Sequence, residues 1–427
     1  MPIADIGCLL AAHGAAVTII TTSGSAQFVQ GRIDRAGQCS PAGITVTRFH
    51  DIPSTDLMPN FFDANTLFGE AVARHCRLCH MEPRRPTCII AGMNNTWAHG
   101  LARELGAPCF IFHGFCAFAL LCDEYLYKHK PHEAAASPDE LFDVPVLPPF
   151  EFKFARRHLP VIFQPSCSIP EDRCRELREF DTVVDSIIVN SFEELDHDSA
   201  ARLTAAAGKM VLAVGPVSLC GAPALLGSRS DSDSDDARRC MAWLAAKKGK
   251  SVVYVRFGSA GRMPPAQLMQ LGLALVSCPW PVLWVIKGAD TLPDDVSDEP
   301  VLEHHAVGGF LTHCGWGSTL ESVAAGVPMA TWPFFAEQFL NEKLIVDVLG
   351  IGVPVGVTTP TKSVFTGAKD GRDGEAKAEV GAEQVKRALM KLMDGGADGE
   401  DRRSKARELR AKALYMHTKA VLLFFKG

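Results

Sequence analysis

The chain has 427 residues, 47% of them hydrophobic, and a formal net charge of −6. That length allows two domains, each with its own core, and an acidic balance with scattered basic residues argues against nucleic acid as a partner. No run of about 18 uninterrupted apolar residues offers a membrane span; the apolar N-terminus has Asp5 as its first charge, unlike a secretory signal; and fourteen cysteines spread from Cys8 to Cys314 suit reduced thiols in a cytoplasmic protein.

In chain order, Pro2 to Ala12 has a helical pattern and leads into a buried strand, Ala16–Thr21. Parallel βα units ordinarily open with a strand. None stands before this helix, so the neighbouring strands are expected to carry an unpaired edge. Further short β-branched runs follow at Ile44–Phe49, Thr87–Ala91, Pro108–Phe112, Ser186–Asn190 and Met210–Val214. The second half repeats the scheme with Ser251–Phe257, Val282–Ile286, Val307–Leu311 and Pro328–Trp332. Strands alternating with amphipathic stretches give an α/β fold of two Rossmann-like, doubly wound parallel-sheet domains.

The domains are expected at residues 1–216 and 241–427, joined by a linker over 217–240. Within it, Gly227–Asp236 is a polar, low-complexity run that cannot bury a core. Its Asp231, Asp233 and Asp235 have Asp-x-Asp spacing, but a linker is no strand end, and no metal role is assigned to them. His75-Cys76-Arg77-Leu78-Cys79-His80 has C-x2-C spacing without a second pair at a zinc-like distance. Thr366–Glu379 reads as a surface loop. Gly350-x-Gly352-x-x-x-Gly356 resembles a dinucleotide loop, but Pro354 and the absence of a following helical pattern argue against one.

The densest information lies between Ala306 and Leu344. A strand ends in a turn holding His313, Gly315 and Gly317, and a helix begins near Ser318. Small residues let backbone approach a ligand, and a helix N-terminus presents N–H groups and partial positive charge, as a diphosphate requires. The turn after a parallel strand is also where open sheets place ligands. Trp316 offers an apolar wall. Ser318-x-x-Glu321 reads equally as a capping box. A second strand, Pro328–Trp332, leads to Glu337 and Gln338, a carboxylate and an amide suited to sugar hydroxyls.

This segment resembles the signature box of the plant secondary-product UDP-glycosyltransferases over roughly forty positions. The resemblance extends through Ser251–Ser259, Asp185–Leu195 and Ala107–Gly114, and so covers most of the chain. It implies the GT-B fold, with the nucleotide sugar held by the second domain, the acceptor by the first, and the last helix returning toward the first. It sets His313, Ser318 and Ser259 against the phosphates, Glu321 against the ribose, and Trp316, Glu337 and Gln338 against the sugar. Gln338 suits glucose. UDP-glucose and a small hydrophobic hydroxylated acceptor are the implied substrates, with inversion and with no metal or other cofactor.

The chain departs from the family pattern in several places. Asp295 and Asp298 stand where a Trp-Ala-Pro-Gln segment places its Trp and Gln, the stretch from Ile286 to Val301 is shorter than the pattern, and Gly317 replaces an Asn. Losing an aromatic stack on a base would cost about 1–3 kcal/mol. Arg256 is a charge in an otherwise apolar strand. The family's catalytic His falls just before the residues resembling Met1–Ile6, and its Asp falls where Gly92 stands, so no residue here inherits either role by matching. Of His13, His50, His99 and His113, the last is best placed as a substitute base, at a strand end facing the cleft, although a structural role is the alternative. Phe112, Phe115 and Phe118 read as core or as acceptor-pocket wall. Weak or absent turnover is expected, with a non-catalytic binding remnant as the alternative function. The helix Arg402–Ala413 resembles the family's last, and Leu414–Gly427 leaves the pattern.

Overall fold

The computed structural model describes residues 2–36, 43–49, 61–78, 85–165, 167, 169–219, 235–258, 261, 263–286, 299–361 and 378–423. The first half opens with helix α1 (Pro2–Ala12), followed by β1 (Val17–Thr22), α2 (Ser23–Ala36) and β2 (Ile44–Phe49). Next come α3 (Phe61–Leu78), β3 (Ile89–Gly92), α4 (Ala98–Leu105), β4 (Cys109–His113) and α5 (Ala117–His129). A hairpin β5 (Leu141–Asp143) and β6 (Lys153–Ala155) precedes α6 (Glu171–Val183), β7 (Ser186–Val189), α7 (Glu193–Asp196), α8 (Ser199–Ala207) and β8 (Val211–Ala213).

Apart from the antiparallel β5–β6 hairpin, these strands form two parallel sheets. Among the described residues β1 pairs only with β2, from Val17 opposite Ile44 to Thr22 opposite Phe49, while β3, β4, β7 and β8 make a separate four-stranded sheet in that order. Among the described residues no strand joins β1 to β3. Helix α1 spans the division. It packs on β1 and α2, where a Cβ on Gly7 would meet Ile19 Cδ1 at 3.0 Å. Its Ile6, with Ile3 and Leu10, also covers Phe112, Ile188 and Val214 of the larger sheet. Serving two sheets buries α1 on nearly every side, Asp5 included, and Arg32 Nη1 lies 3.6 Å from the Asp5 carboxylate.

The second half has α9 (Asp235–Ala245), β9 (Val252–Arg256), α10 (Pro265–Val276), β10 (Val282–Trp284), α11 (Glu299–Leu302), β11 (Val307–Thr312), α12 (Trp316–Ala325) and β12 (Met329–Thr331). It continues with α13 (Gln338–Lys343), β13 (Gly352–Pro354), α14 (Ala382–Leu392) and α15 (Ala397–Leu423). One parallel sheet runs β10-β9-β11-β12-β13. β11 is buried at every position, as befits a central strand covered on both faces. The sequence reading missed β13. Its Pro354 suppresses a strand signal and is tolerated because β13 is an edge. Arg256 ends β9, opposite Thr312, half-buried.

Both ends of the expected linker, 217–240, carry regular local structure. Val217–Leu219 is a 3-10 turn with Val217 and Leu219 buried, and helix begins at Asp235. Asp231 and Asp233, like Cys79, His80 and most of Thr366–Glu379, lie outside the described residues. The halves share one apolar cluster, in which Phe118, Phe152 and Phe192 meet Phe310, Trp316 and Leu340. The final helix runs longer than Arg402–Ala413, and it touches α12, α7 and the Val217–Leu219 turn. Among the described residues no helix is long and apolar enough to cross a membrane, and no group of three or more His, Cys, Asp or Glu side chains is placed to hold a metal ion.

Candidate active site

β11 and β9 end side by side, and their turns enclose His313. Gly258 follows β9 with φ +65°, and a Cβ there would lie 2.6 Å from His313 Nε2; a Cβ on Gly315 would lie 2.4 Å from the same atom. Only glycine fits either place, the first for conformation as well as for space. Cys314, between His313 and Gly315, takes the left-handed region at φ 64°, which costs a non-glycine residue on the order of 1 kcal/mol. Helix α12 then starts at Trp316 with Gly315 as its N-cap. Its first-turn N–H groups have no intrahelical acceptor, and they sit beside the His313 ring.

Ser318 is therefore the third residue of the helix and not its cap, and the capping-box reading of Ser318 and Glu321 does not hold. Both side chains are half-buried on the first two turns of α12. Trp316 also differs from the expected apolar wall. Its indole is 2% exposed, and its Nε1 donates to the main-chain oxygen of Asn190 at 2.8 Å in the other half. Only its backbone remains at the site, where the N–H donates to the Glu337 carboxyl. Ser259, Asp295 and Asp298 lie outside the described residues.

After β12 the chain turns at Ala336, φ 54°, and Glu337 caps α13. Glu337 is buried, and burial raises its pKa to about 7 against the help of its own N–H, Asn341 and the Trp316 N–H. Gln338 Oε1 accepts from the N–H groups of Phe334 at 2.8 Å and Phe335 at 3.2 Å. Its carbonyl is occupied by this turn, so its amide N–H groups are what it can offer a ligand. Asn341 Nδ2 donates to Cys314 O at 2.8 Å, tying the Glu337 turn to the His313 turn. The sequence reading missed Asn341, whose role rests on a partner 27 positions away.

The first half closes over this site. Cys116 Sγ donates to Asn341 Oδ1 at 3.4 Å, and His158 stacks on Phe339 with ring centroids 4.5 Å apart and planes 3° from parallel. A cavity of about 200 Å³ lies between α3, the turn after β3 and α6, lined by Phe62, Asn65, Trp97, Arg173, Glu176 and Leu177 among others. Gly92 ends β3, and a Cβ there would meet only Asn95 Nδ2 at 3.7 Å. His13 is used locally, its Nδ1 2.8 Å from Leu9 O. His99 lies on α4, and His50 is outside the described residues. Phe112 and Phe118 are core, and Phe118 is edge-on to Phe152 at 5.2 Å.

Two α/β halves with an anion-suited helix N-terminus, facing a buried carboxyl and amide across one turn, define a nucleotide-sugar-binding protein of the GT-B class. Residues 228–369 match the family described as "UDP-glucoronosyl and UDP-glucosyl transferase". UDP-glycosyltransferase 73D1 of Arabidopsis thaliana is 35% identical over 405 residues, covering 85% of this chain and 79% of that protein. UDP-glycosyltransferase 73C5 of the same plant is 34% identical over 458 residues, covering 96% and 88%. Among solved structures, Glycyrrhiza uralensis UGT73P12 complexed with glycyrrhetinic acid 3-O-monoglucuronide superposes with TM-score 0.81 and 27% identity, covering 99% of this chain and 93% of that one. Phytolacca americana UGT2, complexed with UDP-2fluoro-glucose and pterostilbene, shares the fold at TM-score 0.76 and 21% identity, with coverage of 99% and 94%. The chain belongs to the plant UDP-glycosyltransferase family.

Proposed function

We propose that the chain transfers glucose from UDP-glucose to a hydroxyl of a small hydrophobic plant metabolite, with inversion and without a metal ion. The observation that carries this reading is His313, fitted between Gly258 and Gly315 at the N-terminus of α12. A diphosphate there meets the ring N–H, the first-turn amides and the positive end of the helix dipole, all in place before the leaving group gains charge. Glu337 and Gln338 lie one turn away, with a carboxyl to accept from sugar hydroxyls and an amide to donate to them.

Ser318 and Ser259 are assigned to the phosphates, Glu321 to the ribose, and Trp316 to the sugar through its backbone alone. The relatives support the substrates: the Phytolacca enzyme was solved with UDP-2fluoro-glucose and pterostilbene. The cavity under α3 and α6 supports an apolar acceptor carrying a polar group, since Phe62, Trp97 and Leu177 share its wall with Asn65, Arg173 and Glu176. A cytoplasmic location accords with the thinly spread cysteines.

Titration calorimetry with UDP, followed by incubation with UDP-[14C]glucose and a panel of phenols, flavonoids and terpenoid alcohols, tests the reading. Saturable UDP binding and a labelled glycoside are expected. Absence of heat at millimolar UDP would remove the donor assignment. UDP binding without transfer to any acceptor would leave the non-catalytic alternative named from the sequence.

A further inference from the structure

The turn that leads into α6 and the first turn of that helix each carry a thiol. Cys167 Sγ lies 3.7 Å from the main-chain oxygen of Ile169, and Cys174 Sγ lies 3.9 Å from the same oxygen. Each thiol donates weakly there, and the two thiols also hydrogen-bond each other. The backbone is held at both places: the Cys167 N–H donates to Gln164 O at 3.1 Å and the Cys174 N–H to Pro170 O at 3.0 Å. Both residues are half-buried. In the other neighbouring pairs, Cys88 with Cys109 and Cys116 with Cys122, at least one member is closed off at 0% exposure. Among the described residues, Cys167 and Cys174 are thus the interacting thiols that a small oxidant can reach from solvent.

The pair sits at the wall of the cavity under α3 and α6. Arg173 precedes Cys174, and with Glu176 and Leu177 it lines that cavity. Arg173 Nη1 lies 2.6 Å from Glu176 Oε2, Glu176 accepts from Thr96 in the turn after β3, and the Arg173 guanidinium stands 6.0 Å from the centre of the Phe62 ring. Before Cys167, Gln164 Nε2 donates to Arg157 O at 3.1 Å and Leu159 O at 2.7 Å, which fixes that stretch to the His158 turn against the second half. Toward its far end α6 is fixed to the sheet, where Asp181 Oδ1 lies 2.9 Å from Nε2 of the buried His113. What remains to be set is the first turn of α6, and that is where the two sulfurs meet.

We propose that Cys167 and Cys174 form a site of reversible thiol oxidation, closing to a disulfide that fastens the first turn of α6, and with it the Arg173–Glu176 wall of the cavity, to the turn before it. Burial pushes the Cys174 thiol up to about 11, with Cys167 and then Asp172 and Glu171 acting the same way, so Cys174 stays protonated at neutral pH and the first attack on an oxidant falls to Cys167. With hydrogen peroxide as oxidant, the Cys167 sulfur bonds to one peroxide oxygen as the O–O bond breaks, giving a sulfenic acid and water. The Cys174 sulfur then bonds to the Cys167 sulfur, the S–O bond breaks, and a second water leaves with the Cys174 proton. Two thiols are oxidised and one peroxide is reduced to two waters. A dithiol reductant reverses the change. The chemistry of the pair is independent of the donor site.

The test treats the full chain with hydrogen peroxide, blocks the remaining thiols with iodoacetamide, digests it with trypsin without reduction and reads the peptides by mass spectrometry. Trypsin cuts after Arg157, Arg173 and Arg175, so the bridge joins the peptide His158–Arg173 to Cys174–Arg175 at a mass two hydrogens below their sum. That linked species is expected before any other disulfide, should vanish after dithiothreitol, and should be absent from Cys167→Ser and Cys174→Ser. Hydrogen exchange in the oxidised chain should slow at least about threefold at the amides of Cys174 to Leu177, while both serine variants keep the reduced rate after peroxide. Sulfinic acid at Cys167 with Cys174 still open to iodoacetamide, a linkage to another cysteine formed first, or exchange unchanged by the bridge overturns the proposal.

Discussion

The indole Nε1 of Trp316 donates to the main-chain oxygen of Asn190 at 2.8 Å, and with that bond the first residue of α12 in one half is fixed to the end of β7 in the other. Asn190 in turn accepts the Val217 N–H on its Oδ1 at 2.9 Å, so one residue receives both the donor helix and the crossing between halves. Trp316→Phe keeps the apolar contacts and deletes the donor, leaving a buried carbonyl unmet. We expect a loss of about 1–3 kcal/mol, read from urea unfolding. Trp316→Ala should cost more, about 3–5 kcal/mol, because it also leaves a cavity.

Gly258→Ala and Gly315→Ala each drive a methyl into the His313 ring. The first also forces alanine to φ +65°, at a further cost on the order of 1 kcal/mol. Both variants should bind UDP at least about tenfold more weakly by calorimetry. Gly317→Ala has nothing within 4 Å to meet and should leave UDP binding within about twofold.

Gln338 has two separable jobs. Gln338→Glu keeps an oxygen for the Phe334 and Phe335 N–H groups but removes the amide donor, so its melting temperature should stay near wild type while KM for UDP-glucose rises. Gln338→Leu removes both and should lose about 1–3 kcal/mol of stability. Equal KM values for Q338E and wild type would remove Gln338 from the sugar site.

Three carboxyls, the buried Asp196 and Glu337 and the half-buried Glu342, have pKa values raised to about 7, desolvation being the largest cause for each. The native chain then holds protons that the unfolded chain has lost, and stability falls as pH rises from the unfolded carboxylate range through about 7. At about 1.4 kcal/mol per pKa unit, each group contributes on the order of 4 kcal/mol to that fall. Melting temperatures measured from pH 5 to pH 8 should decline. Glu342→Gln, which still accepts from Thr331 Oγ at 2.5 Å in the wild-type geometry, should flatten the decline.

How much was legible follows from the range of each signal. All ten strands read from β-branched runs are present; the central β9 and β11 write their burial into four and six consecutive residues, while β1 and β2 keep exposed positions and were read from their β-branched residues. The His313 turn was legible for the same local reason: histidine, glycines and helix start are contiguous. The start of α12 was misplaced because Ser318 and Glu321 imitate a capping box, while the true N-cap, Gly315, offers no side chain to recognise. β13 hid behind Pro354. The pairs Trp316–Asn190 and His113–Asp181 were invisible, since their members stand 126 and 68 positions apart and no local pattern couples them.

The division of the first half into two sheets gives it two units of unequal endurance. Amides of β4 and β7 are bonded between neighbours on either side, whereas β1 and β2, among the described residues, have one neighbour each and depend on α1 to hold them. In deuterated buffer the β1–β2 pair should therefore exchange through local opening long before β4 and β7, whose amides wait for global unfolding. Mass spectra of the intact chain would then show two separate populations of protected hydrogens in a single half.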